Sequence, residues 1–127
     1  MSCDSGEVRL RLLIVDDSAR FLESARTFLE RQGITVVGVA SSSAEALRLA
    51  EELRPDATLV DIDLGEENGF HLAQQLAANA GSPSNVILVS TYPEDGFAEL
   101  IDASPALGFV SKTRLSAKAI FEMLDAS

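Results

Sequence analysis

Three aspartates, an alcohol and a lysine occupy positions from which they could act together. Asp16 and Asp17 follow the apolar run Leu10–Val15, Asp61 follows Ala57–Val60, Ser90 and Thr91 follow Val86–Val89, and Lys112 comes just after Leu107–Val110. Three carboxylates brought into one pocket repel each other and raise one another's pKa, and a bound hard cation removes that conflict. An all-oxygen donor set with retained waters suits Mg²⁺. The chain has one cysteine, Cys3, and one histidine, His71, so a cysteine–histidine zinc cage is excluded. A cation held by two acids beside a third carboxylate is the arrangement that brings a phosphoryl group onto an aspartate. The metal and Lys112 would offset charge on the phosphoryl oxygens, and the Ser90 hydroxyl would donate to another. Asp61 would act as nucleophile and form an acyl phosphate. Taken singly, each residue has a plainer reading. An aspartate at a strand end serves as a turn or N-cap residue, Ser90 as a cap, and Lys112 as a solvated cation. Their joint placement, each directly after its own apolar run, favours the functional reading.

The elements that must position them alternate in kind. Leu10–Val15 is short and almost continuously apolar and reads as a strand buried on both faces; Ile34–Val39, Ala57–Val60, Val86–Val89 and Leu107–Val110 are four further candidate strands. Helical stripes lie between them. Phe21, Leu22, Ala25, Phe28 and Leu29 share one face and stop at Gly33. Ser42 and Glu45 form a candidate capping box for a helix burying Leu47, Ala50 and Leu53 and closed by Pro55. Leu72, Ala73, Leu76 and Ala77 form a third stripe, ended by Gly81 and Pro83. Ala98, Leu100 and Ile101 mark a short fourth helix, and Ala119, Ile120, Met123 and Leu124 a fifth. The order is (βα)₅, which argues for an α/β fold with a doubly wound parallel sheet covered by helices on both faces. In such sheets ligands bind outside the carboxyl ends of the strands, where the strand order reverses. With strand order 2-1-3-4-5, the first and third strands flank that point, and Asp16, Asp17 and Asp61 meet there.

Composition narrows the class. The chain has 127 residues, 46% of them hydrophobic, enough for a core. Ten basic residues against twenty acidic ones give a net charge of −10, a surface that repels nucleic acid and anionic membranes. No apolar run is long enough to span a bilayer, and the segment Met1–Glu7 lacks the pattern of a signal peptide. A single cysteine allows no internal disulfide, which points to the cytoplasm. Residues 1–8 read as a flexible tail and 9–127 as one domain.

The fragments Leu13-Ile14-Val15-Asp16-Asp17-Ser18, Pro55 through Leu64 with Asn68-Gly69, Val86 through Ser90, and Gly108 through Lys112 carry a resemblance. The chain resembles the receiver domain of bacterial two-component response regulators from about Arg9 to Ala126, closest in style to receivers that precede a helix-turn-helix output domain. The resemblance implies a flavodoxin-like three-layer sandwich and a phosphorylation-activated switch. It makes Asp61 the phosphoacceptor, with Asp17 binding Mg²⁺ directly, Asp16 through water, and the backbone carbonyl of Asp63 completing the ligands. Lys112 and Ser90 would hold the phosphoryl group. Ser90 and Phe109 would act as the switch pair that alters the face built from the fourth helix, fifth strand and fifth helix. Asp63 and Tyr92 stand where the family tunes acyl-phosphate lifetime. The implied partners are a sensor histidine kinase or phosphotransfer protein and an output domain or downstream protein. Homodimerisation through the switch face is left open, as is whether the domain stands alone.

The sequence departs from the family at two positions. Thr113 replaces the usual Pro after the lysine, where a cis bond would cost about 2.5–4 kcal/mol. Gly65 replaces a common Pro and should loosen the loop before the third helix. His71 reads as a surface residue. Two rivals remain at this level. Asp61-Ile62-Asp63 resembles the acid pair of haloacid-dehalogenase-type phosphatases, although that reading leaves Asp16-Asp17 unexplained. A receiver-like module that binds without being phosphorylated is the other. As a receiver, the domain is expected to be no enzyme beyond its own phosphorylation and dephosphorylation. Lys112→Ala is expected to impair signalling more than folding.

Overall fold

The computed structural model describes residues 10–64, 67–79, 85–91 and 98–126. Five strands, β1 (Arg11–Val15), β2 (Thr35–Ala40), β3 (Ala57–Asp61), β4 (Val86–Ser90) and β5 (Gly108–Ser111), alternate with helices α1 (Ala19–Arg31), α2 (Ser43–Leu53), α3 (Gly69–Asn79), α4 (Ala98–Ala103) and α5 (Ala117–Ala126). The sheet order is β2-β1-β3-β4-β5 and every pairing is parallel, as the alternation predicts. Four strands end one residue later than expected, on Ala40, Asp61, Ser90 and Ser111, while the first ends on Val15 as expected; Leu10, Ile34 and Leu107 precede their strands.

Alternate side chains of the central strands feed two cores, so their sequences are almost wholly apolar, with Thr58 a buried polar residue within β3. Leu12, Ile14, Leu59, Ile87 and Val89 pack with Leu22, Ala25 and Leu29 of α1 and Ile120 of α5. Leu13, Val15, Val60, Val86 and Leu88 pack with Ala46 of α2, Leu72, Ala73 and Leu76 of α3, and Ile101 of α4. The result is a three-layer sandwich with α1 and α5 on one face and α2, α3 and α4 on the other.

Local chemistry fixes the helix ends. Gly33 takes φ +97°, and the Gly33 and Ile34 N–H groups donate to the Glu30 and Leu29 carbonyls, a Schellman stop for α1. At α2 the Ser42 hydroxyl accepts from Glu45 N–H at 3.2 Å, but the returning carboxylate of Glu45 accepts from Ser41 N–H at 2.9 Å rather than from Ser42. That helix ends on Arg54, left-handed at φ 48°, one residue before Pro55. The Arg11 guanidinium bonds the Leu53 and Arg54 carbonyls there at 2.7 and 3.0 Å.

Three core expectations need correction. Ala77, expected in the stripe of α3 with Leu72, Ala73 and Leu76, is exposed. Phe28 is 46% exposed, because the stripe of α1 narrows to Leu22, Ala25 and Leu29. In α2 the fully buried residue is Ala46, while Leu47, Ala50 and Leu53 stay half-buried at the sheet edge. Tyr92, Gly65, Gly81, Pro83 and the expected tail at residues 1–8 lie outside the described residues.

Candidate acidic phosphoryl site

The carboxyl ends of β1, β3, β4 and β5 deliver Asp16, Asp61, Ser90 and Lys112 to one edge of the sheet. One carboxylate oxygen from each of Asp16, Asp17 and Asp61 lies within 4.8 Å of the others. Asp16 and Asp61 are buried and Asp17 is exposed, so the cluster opens to solvent on one side. Ser90 is buried one residue beyond Val89, the register partner of Asp61.

Lys112 bridges the two buried acids. Its Nζ lies 2.6 Å from Asp16 Oδ2 and 3.2 Å from Asp61 Oδ2. It also lies 4.3 Å from the centroid of the Phe21 ring. Asp16 Oδ1 accepts from Ser18 N–H at 2.8 Å, which sets the turn into α1, and Ser18 Oγ in turn caps that helix by accepting from Phe21 N–H at 3.3 Å. Asp61 Oδ1 accepts from Asp63 N–H at 3.2 Å.

Electrostatics follow from this crowding. Burial, and then the charge of Asp16, push the Asp61 carboxyl up to about 6, with Lys112 pulling the other way. Burial works against the charged form of Lys112, yet its contacts with Asp16 and Asp61 outweigh that and raise its pKa. Asp16 Oδ2 has no well-aligned hydrogen-bond donor among the described residues and meets the ammonium as an ion pair. Three carboxylate oxygens within reach of one another, two of them on buried residues and none joined by a nitrogen or sulfur ligand, fit a hard divalent cation.

Glycine at position 69 is dictated by this site. A Cβ there would come within 2.9 Å of the Asp61 carbonyl carbon and 2.8 Å of Ile62 Cα, and closer still to the Asp61 oxygen. Gly69 N–H donates to the Ile62 carbonyl at 2.9 Å, and Asn68 Oδ1 accepts from Phe70 N–H at 2.7 Å. Asp63-Leu64 and Glu67-Asn68 form a short antiparallel ribbon that leads into this contact.

Other expected positions fall as follows. Phe109 is half-buried on the edge strand β5, at the margin of the core that contains Leu88 and Ile101. His71 is exposed on α3. The described peptide bonds are all trans, Lys112–Thr113 included; Lys112–Arg114 form a 3₁₀ turn capped by Ser111. The proline-free loop therefore still carries the ammonium to both aspartates. Sequence periodicity places Phe21 only in the hydrophobic stripe of α1. The legible signal was its position in the first turn after Asp16-Asp17, which points back at the strand ends.

Residues 12–125 match the response regulator receiver domain model. The chain belongs to that family. The receiver domain is similar to the transcriptional regulatory protein LiaR of Bacillus subtilis, 33% identical over 86% of this chain and 52% of that protein. It is also similar to the protein-glutamate methylesterase/protein-glutamine glutaminase of Thermotoga maritima, 33% identical over 91% of this chain and 34% of that protein. Among solved structures, the signal receiver domain of the response regulator NarL from Mycobacterium tuberculosis superimposes with a TM-score of 0.79 at 26% identity, covering 93% of this chain and 95% of that one. The receiver spans about half or less of the curated relatives named above. Receivers are phosphorylation-activated switches of two-component signalling, and this chain is one. The dehalogenase-type phosphatase reading loses its support: Asp61 ends the third strand, not the first, and Asp16-Asp17 belong to the same cluster. Among the described residues no helix is long and apolar enough to cross a membrane.

Proposed function

We propose that residues 9–127 act as one receiver unit in which Asp61 accepts the phosphoryl group and Asp16, Asp17, Asp61 and the Asp63 backbone carbonyl hold Mg²⁺. The convergence of the three carboxylates around a bridging lysine supports this reading. Bound Mg²⁺ supplies positive charge to the phosphoryl oxygens and offsets the repulsion among the acids. An Asp61 oxygen attacks phosphorus, the bond from phosphorus to the donor breaks, and the donor leaves with the bonding pair. Lys112 pairs with the transferred group and the Ser90 hydroxyl donates to it. Ser90 thereby moves toward the new oxygens, and Phe109 turns into the space released, which shifts the population of the α4-β5-α5 face. Asp63 and Tyr92 tune how long the acyl phosphate survives.

The donor is a sensor histidine kinase or phosphotransfer protein, and the altered face acts on an output domain or a downstream protein. A transcriptional output follows from the likeness to LiaR and an enzymatic one from the likeness to the methylesterase; the helix-turn-helix style of the Lys112 segment favours the first. The domain works in the cytoplasm and does not itself contact nucleic acid. Incubation with radiolabelled acetyl phosphate and Mg²⁺ tests the assignment: wild type takes up label and D61N does not. Undiminished labelling of D61N overturns it. Beryllofluoride with Mg²⁺ should move the NMR signals of Ser90 and Phe109, and unmoved signals would favour a module that only binds.

A further inference from the structure

The Lys112 ammonium lies over the Phe21 ring, 4.3 Å from its centroid, as well as beside two carboxylates. We propose that Phe21 is a positioning residue: its ring keeps the Lys112 ammonium beside the three aspartates when their oxygens are engaged by a cation. The proposal rests on the reading of Lys112 as the phosphoryl-binding cation.

The argument begins with competition. Lys112 Nζ is held by Asp16 Oδ2 and Asp61 Oδ2, and both residues belong to the cluster fitted to a divalent ion. A cation drawn to those oxygens repels the ammonium and weakens both of its ionic anchors. Lysine has a flexible four-carbon stem, so an ammonium without anchors swings into solvent. The attraction of a ring face for an ammonium comes from the ring's own quadrupole and does not depend on the carboxylates. It is strongest out of water, and the Lys112 side chain is only 14% exposed.

The ring is fixed independently of Lys112. Ser18 Oγ accepts from Phe21 N–H, Ser18 N–H donates to Asp16, and Phe21 packs against the core beneath α1. A closed circuit results, Asp16 to Ser18 to Phe21 to Lys112 and back to Asp16. It sets the ring from the same aspartate that Lys112 meets.

The test replaces Phe21 in the full chain by Leu, by Tyr, and by singly and triply fluorinated phenylalanine, which weaken the ring face at nearly constant shape. Three readouts are taken: the acetyl-phosphate labelling rate at saturating Mg²⁺, the Mg²⁺ affinity, and the NMR shift of the Lys112 ε-methylene protons in metal-free protein. Labelling should fall stepwise with fluorination, reaching about five- to thirty-fold for the triply fluorinated ring and F21L, with F21Y close to wild type. Mg²⁺ affinity should hold, and the upfield ring-current shift of the ε-methylene protons should vanish in F21L. Wild-type labelling rates across the fluorinated series overturn the proposal, as does a loss of Mg²⁺ affinity that matches the loss of rate. If F21L does not fold, the fluorinated series decides alone. D61N in parallel separates the two claims: label on D61N sinks the phosphoacceptor assignment, whereas the ε-methylene shift reports on the ring contact without any phosphorylation.

Discussion

Lys112 stands closer to Asp16, at 2.6 Å, than to Asp61, at 3.2 Å. The lysine expected to serve the phosphoryl group thus also neutralises the most deeply buried of the three acids. Asp16 is wholly buried, and outside water an unpaired carboxylate is costly.

This pairing changes the expectation for Lys112 variants, which on sequence grounds were expected to harm signalling more than folding. In the metal-free protein, K112M leaves a buried charge uncompensated. It should destabilise the fold by roughly 3–5 kcal/mol, toward the low end because Asp17 opens the site to water. Saturating Mg²⁺ should restore most of that loss. Urea denaturation with and without Mg²⁺ measures both effects, and equal destabilisation under the two conditions would contradict the bridge.

Asp61 predicts the opposite sign. Its carboxyl is raised from 3.8 to about 6, so the folded state binds this proton more tightly than the unfolded chain. The stabilisation is therefore full below pH 3.8 and is lost as pH rises through about 6. Above that, the metal-free protein carries a penalty of about 3 kcal/mol. D61N lacks the charge and should be more stable than wild type at neutral pH by up to that amount, the difference shrinking toward pH 4. Denaturation midpoints of both proteins across this pH range supply the check.

Much of this was legible in the sequence for a definite reason. The central strands Leu12–Val15 and Val86–Val89, buried on both faces, hold no polar residue before the sheet edge, so Asp16 and Ser90 mark the site as the first polar residues; Thr58 interrupts the third strand, and Asp61 stands out by its place at that strand's end. What failed was local. Phe28 keeps helical spacing with the α1 stripe, yet the stripe that touches the sheet is only three residues wide, and spacing alone does not give that width. The ribbon at Asp63-Leu64 and Glu67-Asn68 is two residues a side, too short for any period to register. Phe21 was read as core because one aromatic can serve the core and a cation at once, and only its distance to Lys112 separates the roles.

Gly69 gives a prediction about backbone approach. An added Cβ would meet the Asp61 carbonyl and Ile62 Cα, and these are backbone atoms that cannot rotate away. G69A should cost upwards of about 2 kcal/mol and weaken Mg²⁺ binding as Asp61 is pushed aside. A variant with wild-type stability would show that α3 does not pack against the end of β3 this closely.

Asp17 separates metal binding from folding. It is the exposed member of the three acids, while Asp16 takes the Ser18 N–H and the Lys112 ammonium. Removing an exposed carboxylate that anchors none of the described residues should change metal-free stability by no more than about 0.5 kcal/mol. The same change removes one of the oxygen ligands proposed for the ion. D17N should therefore match wild type in thermal melts without metal and lose the rise in melting temperature that wild type shows with Mg²⁺. The gain in wild type should itself fade below about pH 6, where a proton on Asp61 competes with the ion. If D17N keeps the full Mg²⁺-dependent rise, the ion does not sit among these three aspartates, and the phosphoryl site must be charged by Lys112 alone.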